Sequence, residues 1–252
     1  MQAIERARPV GAPWFRPAAG IPIGSMIEAL RAGDRWAEGS RFVKRDAGRW
    51  VWMGELGAEH GPRALVIKGR PRRALDALPD RHAIKQSIGA RRLRAAGIPT
   101  SDPVALLDVS AAGGARERWL VLSALPGESL AHVCKRGGDT PGLARRAGAL
   151  VRTLSDAGLF NRDHKASNVI VSPGGELGVI DTVAIRAGSG DEKRRRMLLA
   201  MCKELSGIGA MPRLAQLWRC LAAASRTPKA DWRTIAAMLR DAGDTTPRVS
   251  PV

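Results

Sequence analysis

Residues 161–181 constrain this chain more than any other stretch. A polar run, Asn161-Arg162-Asp163-His164-Lys165-Ala166-Ser167-Asn168, leads into the apolar run Val169-Ile170-Val171. A Pro173-Gly174-Gly175 turn follows, and a second apolar run, Leu177 to Ile180, ends at Asp181. Two short apolar segments joined by a Pro/Gly turn read as a β-hairpin. Such a hairpin fixes the residues at its ends, Asn168 and Asp181. The spacing is definite: Asn168 lies five positions after Asp163 (168 − 163) and Asp181 thirteen after Asn168 (181 − 168). Asp and Asn taken singly are common turn formers. Turn formation does not explain an Asp, a Lys and an Asn in this register, an apolar strand, a glycine turn and an Asp closing a second apolar strand.

Around the hairpin the pattern separates into a strand-rich first half and a helical second half. Arg41 to Asp46, a turn at Ala47-Gly48-Arg49, Trp50 to Met53, a turn at Gly57 to Pro62 and Ala64 to Lys68 read as a three-stranded meander. Ala83, Ile84, Ile88 and Leu93 give a basic amphipathic helix over Arg81 to Ala96, stopped at Gly97 and followed by the breaker Ile98-Pro99-Thr100. Strands resume at Val104 to Val109 and Trp119 to Leu122, for a sheet of about five strands with one helix inserted. Leu125-Pro126-Gly127-Glu128 reads as a hinge. Beyond it, Thr140 with Pro141 opens a helix running to Gly158, and further helices are expected over 192–205, 211–224 and 231–240. The expected organisation is an α+β fold: a flexible basic arm over 1–25, a β-rich lobe over 26–124, a helical lobe over 125–240 and a flexible tail over 241–252.

Charge and cysteine content decide between classes of function. Forty-one Lys and Arg against 24 Asp and Glu leave a formal net charge of +17. That field either reflects only a composition that favours Arg, or serves polyanions: nucleotide triphosphates, anionic lipid headgroups, phosphorylated glycolipids and nucleic acid. Nucleic acid is disfavoured, because aromatic residues make up 4% of the chain and no run interleaves them with basic residues as base stacking requires. No stretch approaches the roughly 18 to 20 uninterrupted apolar residues of a membrane span. Met1 to Pro13 lacks the apolar core of an export signal. Cytoplasmic residence is expected, with peripheral contact to an anionic membrane surface left open. Cys134, Cys202 and Cys220 form no CxxC pair, and His60, His82, His132 and His164 have no HExxH spacing, so any metal is expected on oxygen ligands.

The polar run and its hairpin resemble the catalytic segment of the protein-kinase-like fold, whose loop reads H-R-D-x-K-x-x-N and whose metal-binding Asp follows a short hairpin. The resemblance implies a two-lobed kinase that uses ATP and Mg²⁺. On it, Asp163 accepts a hydrogen bond from the attacking hydroxyl and Lys165 balances charge on the γ-phosphate, while Asn168 and Asp181 hold Mg²⁺ through hard oxygen ligands. Leu65-Val66-Ile67-Lys68 resembles the V-A-I-K strand, which implies that Lys68 reaches the α- and β-phosphates. The same resemblance sets Leu122, Ser123 and Leu125 against the adenine. Two departures stand out. No acidic residue lies between Asp80 and Asp102, so the inserted helix lacks the Glu that pairs with the strand lysine; Asp76 or Asp80 is the expected substitute, or Lys68 has no partner. There is also no G-x-G-x-x-G, and Thr182-Val183 follows the metal Asp in place of Phe-Gly.

Within that superfamily the chain resembles the bacterial lipopolysaccharide kinases of the Kdo/WaaP type over about residues 40–225. The resemblance rests on Gly97-Ile98-Pro99-Thr100 after a basic helix, Leu125-Pro126-Gly127, Arg162-Asp163-His164-Lys165-Ala166-Ser167-Asn168, and Ile180-Asp181 followed by an arginine run at Arg194 to Arg196. It implies a sugar hydroxyl of the lipopolysaccharide inner core as acceptor, with the arginine run either on a solvated face or on the anionic substrate. An aminoglycoside-type phosphotransferase, whose loop reads H-G-D-x-H-x-x-N, matches less well because Lys165 stands at the second His. Another small-molecule or protein kinase and a catalytically silent kinase-fold scaffold are the remaining alternatives.

Overall fold

The computed structural model describes residues 4–9, 41–46, 49–56, 63–72, 81–111, 116–138, 140–210 and 214–241. The chain divides into two compact units, Met1–Ala90 with Ser101–Leu125 and Arg91–Thr100 with Pro126–Val252. Residues 91–100, which the sequence groups with the strands, therefore belong to the second unit.

In the first unit one antiparallel sheet contains β1 (Ile4–Pro9), β2 (Arg41–Asp46), β3 (Arg49–Leu56), β4 (Arg63–Pro71), β5 (Pro103–Ala111) and β6 (Arg116–Ser123), in the order β1-β5-β6-β4-β3-β2. The meander β2-β3-β4 is the one expected. Ile4–Pro9 corrects the expectation of a flexible arm over 1–25, since it pairs with β5 and sets Ala7 opposite Val109. The edge of β5 offers unpaired backbone groups that an extended segment can take, and Pro9, which has no N–H, ends the pairing. The remainder of the expected arm, the tail beyond 241, and Asp76 and Asp80 lie outside the described residues.

Strand alternation gives the sheet two faces. Leu65 and Ile67 are fully buried with Trp52, Leu107, Trp119 and Val121 on one. Val66, Leu106, Leu120 and Leu122 pack on the other against Ala83 of helix α1 (Arg81–Ala95). Lys68, two residues after Val66, falls on this helix-bearing face. Gly69 sits opposite Trp50, where a Cβ would run into the indole ring. That ring stacks edge-on against Trp119 at 5.1 Å.

The end of α1 follows from three consecutive residues. Gly97 adopts φ 71°, a left-handed conformation free of strain only for glycine. The Ile98 N–H bonds the Leu93 carbonyl at 2.9 Å, while Ile98 and Leu93 pack in the same core, a Schellman stop with its apolar contact. Pro99 then prevents continuation.

The second unit is mainly helical: α2 (Leu130–Lys135), α3 (Thr140–Asp156), α4 (Asp191–Gly207), α5 (Leu214–Ala224) and α6 (Pro228–Asp241). Its core joins Leu150, Val151 and Leu154 of α3, Met197, Leu198, Met201 and Leu205 of α4, Leu217 and Leu221 of α5 and Ile235 of α6. Helices α3 and α5 approach closely at Gly148, where a Cβ would collide with the Cys220 carbonyl oxygen. Two small strand sets carry the functional loops. β7 (Glu128–Ser129), β9 (Val169–Val171) and β10 (Leu177–Val179) form one, in the order β10-β9-β7, and β8 (Leu159–Asn161) pairs with β11 (Ile185–Ala187). Among the described residues no helix is long and apolar enough to cross a membrane.

Candidate active site

The polar run occupies the connection from β8 to β9, and Asp181 follows β10. Both ends of this region are tied together. β8 and β11 set Asn161 opposite Ile185, and the Ile180 N–H bonds the Asn168 carbonyl at 2.9 Å. The hairpin thus holds Asn168 beside the backbone that leads into Asp181.

Asp163 is the hub. Its Oδ1 lies 2.8 Å from Lys165 Nζ, and Asn168 Nδ2 donates both to its carbonyl at 3.0 Å and to Oδ2 at 3.1 Å. Asn168 spends its NH₂ group on Asp163, so its amide oxygen is the atom left for a hard cation. Asp163 and Lys165 stay 41% and 49% exposed, open to a substrate. The hydrogen bond and charge of Asp163, helped by Glu204 and Asp181, hold the Lys165 ammonium above its ordinary pKa, so it is cationic at neutral pH. Asp181 adopts φ 56°, ψ 57°, the one non-glycine residue at positive φ among the described residues. That conformation costs about 1–2 kcal/mol for an L-residue, less for Asp and Asn, and strain of this kind gathers at functional sites.

Three supports lie outside the residues singled out by sequence. Asn161 is buried, and its Oδ1 accepts the Asp163 N–H at 3.1 Å. This orients its amide nitrogen toward His164 Nδ1 at 3.4 Å, so the neutral imidazole carries its proton on Nε2. His164 is fully buried and its Nε2 has no partner among the described residues; burial lowers its pKa to about 4. The second support is Glu204 of α4, which accepts from the Ser167 N–H at 2.8 Å and hydroxyl at 2.6 Å. The third is Asp231 of α6, fully buried, which holds Arg195 Nε at 2.6 Å and Arg194 at 3.4 Å. Arg194 also meets Asp191 at 2.8 Å, and Arg196 pairs with Glu192 on the surface. Arg194 and Arg195 therefore brace α4 against α6, which corrects the reading of these two as a solvated or substrate-binding face, while Arg196 stays on the solvated face. An Asx-turn signal, an Asn two residues before the Asp, was available for Asn161. Glu204 and Asp231 lie 37 and 36 residues from their partners and leave no local signal.

The structure brings Asp163, Lys165, Asn168 and Asp181 together in the second unit. Lys68, Leu122, Ser123 and Leu125 belong to the first. Leu122 is a core residue, 2% exposed. Ser123 accepts the Asp102 N–H on its hydroxyl at 2.8 Å, and Leu125 is partly exposed.

A sheet with one helix inserted, followed by a helical unit whose loop and hairpin set these four residues in order, is the protein-kinase-like fold. No family model and no curated protein matches the chain. Among solved structures it is similar to that of WaaP in complex with acyl carrier protein, at 19% identity over 91% of this chain and 98% of that one, with a TM-score of 0.57. Two structures of WbdD overlap less. The bifunctional kinase-methyltransferase gives 17% identity over 76% of this chain and 47% of that one, TM-score 0.46. Monomeric WbdD gives 18% over 77% and 44%, TM-score 0.45. The likeness to WaaP establishes a shared fold, the one the sequence resemblance implied.

Proposed function

We propose that this chain is a cytoplasmic kinase that transfers the γ-phosphate of ATP to a hydroxyl of a lipopolysaccharide inner-core sugar. The observation that carries the proposal is the Asp163 carboxylate, aligned by Lys165 on one oxygen and Asn168 on the other and still partly exposed. Each oxygen keeps a lone pair for an incoming O–H, because a carboxylate has about four acceptor positions. The acceptor hydroxyl donates to Asp163 and is thereby oriented toward the γ-phosphorus. Lys165 offsets charge on the transferring group. The Asn168 amide oxygen and the Asp181 carboxylate suit Mg²⁺, which takes hard oxygen ligands and few protein groups. Bound there, Mg²⁺ would supply charge neutralisation for the transferring phosphate. The sequence resemblance to lipopolysaccharide kinases and the cationic composition support an anionic glycolipid acceptor over a neutral one.

The test is transfer from labelled Mg-ATP by purified protein to inner-core oligosaccharide, with an aminoglycoside and a generic protein substrate in parallel. Label on the core sugar, abolished by Asp163→Ala with ATP affinity retained, is the expected result. Transfer to no acceptor, or wild-type turnover in Asp163→Ala, overturns the reading and favours a silent kinase-fold scaffold.

A further inference from the structure

Helix α1 carries Arg81, Lys85, Arg91, Arg92 and Arg94 and no acidic residue along Arg81–Ala95. Its buried residues, Ala83, Gln86, Ser87, Gly89, Ala90 and Leu93, turn one way. At 3.6 residues per turn, Arg91, Ile84, Ala95, Ile88, Arg81, Arg92 and Lys85 share an opposite arc of about 120°. Arg81, Lys85 and Arg91 are exposed, Arg92 is partly so, and none of the four has an ion pair among the described residues. Ile84 and Ile88 lie between these cations, partly exposed, and belong to none of the apolar clusters of the described residues.

We propose that this face of α1 docks on an anionic phospholipid surface. A helix lying in a bilayer interface needs apolar side chains at the centre of its outer face, with long cationic side chains beside them that reach out to headgroup phosphates. The two isoleucines flanked by four cations meet that description. They also separate a lipid surface from other polyanions. A nucleic acid offers phosphates to the arginines but nothing apolar to Ile84 and Ile88, and the helix has no Phe, Tyr or Trp for base stacking. The inference is independent of the catalytic reading and survives or fails without it.

The experiment is co-sedimentation of the full chain with phosphatidylcholine vesicles, with and without phosphatidylglycerol. Wild type should sediment with the anionic vesicles only. Each cation near such a surface contributes about 1 kcal/mol, so reversing Arg81, Lys85 and Arg91 to Glu should lower the partition coefficient by at least about 100-fold. A control with the same change in net charge reverses Arg145, Arg146 and Arg219, which are exposed on α3 and α5, and should change it several-fold at most. Ile84→Ser with Ile88→Ser, which leaves the charge untouched, should weaken the binding that persists at high salt. Circular dichroism confirms that each variant is folded. Equal losses in the α1 variant and the control, binding indifferent to the two isoleucines, or no binding by wild type each overturn the proposal.

Discussion

His164 makes the loop acid-sensitive in a window that can be worked out in advance. Its imidazole is fully buried, its Nδ1 accepts from Asn161, and burial lowers its pKa from 6.5 to about 4. The unfolded chain, with the ordinary value, binds a proton between pH 6.5 and 4 that the folded chain refuses. Stability therefore falls as pH falls through that window, by about 2 kcal/mol at pH 5 and about 3 kcal/mol at pH 4, and then levels off. The buried Asp231 does not confuse the measurement. Its pKa is held below 3.8, against the opposing effect of burial, by Ser225, Arg195 and Arg194, so its own contribution is lost only below that pH. Urea unfolding at intervals from pH 7.5 to 4.5 reads the slope directly. His164→Leu removes the titrating group; whatever its absolute stability, its slope over this window should be shallower by the amount His164 contributes. A wild-type profile flat over this window, or one that His164→Leu leaves unchanged, refutes a buried neutral His164.

Asp181→Ala should lower both Mg²⁺-dependent ATP affinity and turnover, whereas Asp163→Ala should leave affinity near wild type; calorimetric titration with and without Mg²⁺ separates them, and equal affinity losses would merge the two roles. Removing Glu204 should cut turnover through Ser167, and a double-mutant cycle of Glu204→Ala with Ser167→Ala should return a coupling of about 1–2 kcal/mol in stability, with near-additivity as the contrary result. Gly148→Ala gains about 1 kcal/mol of helix propensity yet forces α3 and α5 apart at the Cys220 carbonyl, so denaturant unfolding should show a net loss of about 1–3 kcal/mol. A variant as stable as wild type would show that the two helices have room.

What the sequence made legible is what neighbouring residues decide. The β9–β10 hairpin, the stop of α1 at Gly97-Ile98-Pro99 and the opening of α3 at Thr140-Pro141 each rest on turn or cap chemistry within a few positions. The spacing of Asp163, Asn168 and Asp181 was readable because the hairpin between them is itself local. β1 was not, because six residues rich in charge become a strand only when β5, about a hundred positions away, offers its edge. Arg194 and Arg195 looked available for the same reason in reverse: nothing near them shows that Asp231 neutralises them. Leu122 shows another limit, since a residue near the hinge in sequence is here a core residue of the sheet.

The pairing of β8 with β11 has a dynamic consequence. The Asp163 loop leaves the ribbon at one strand and the turn after Asp181 returns to it at the other, with the Arg162 N–H bonded to the Ala184 carbonyl and the Ile180 N–H to that of Asn168. The ribbon anchors one end of each loop, so its opening is expected to loosen both. The two are therefore expected to open as one cooperative unit, with similar hydrogen-exchange protection at the backbone amides of Arg162, Asn168 and Ile180. A fluctuation that displaces Asp163 is expected to displace Asn168 and Asp181 with it, so that under the proposed function the proton acceptor and the metal ligands would be lost together.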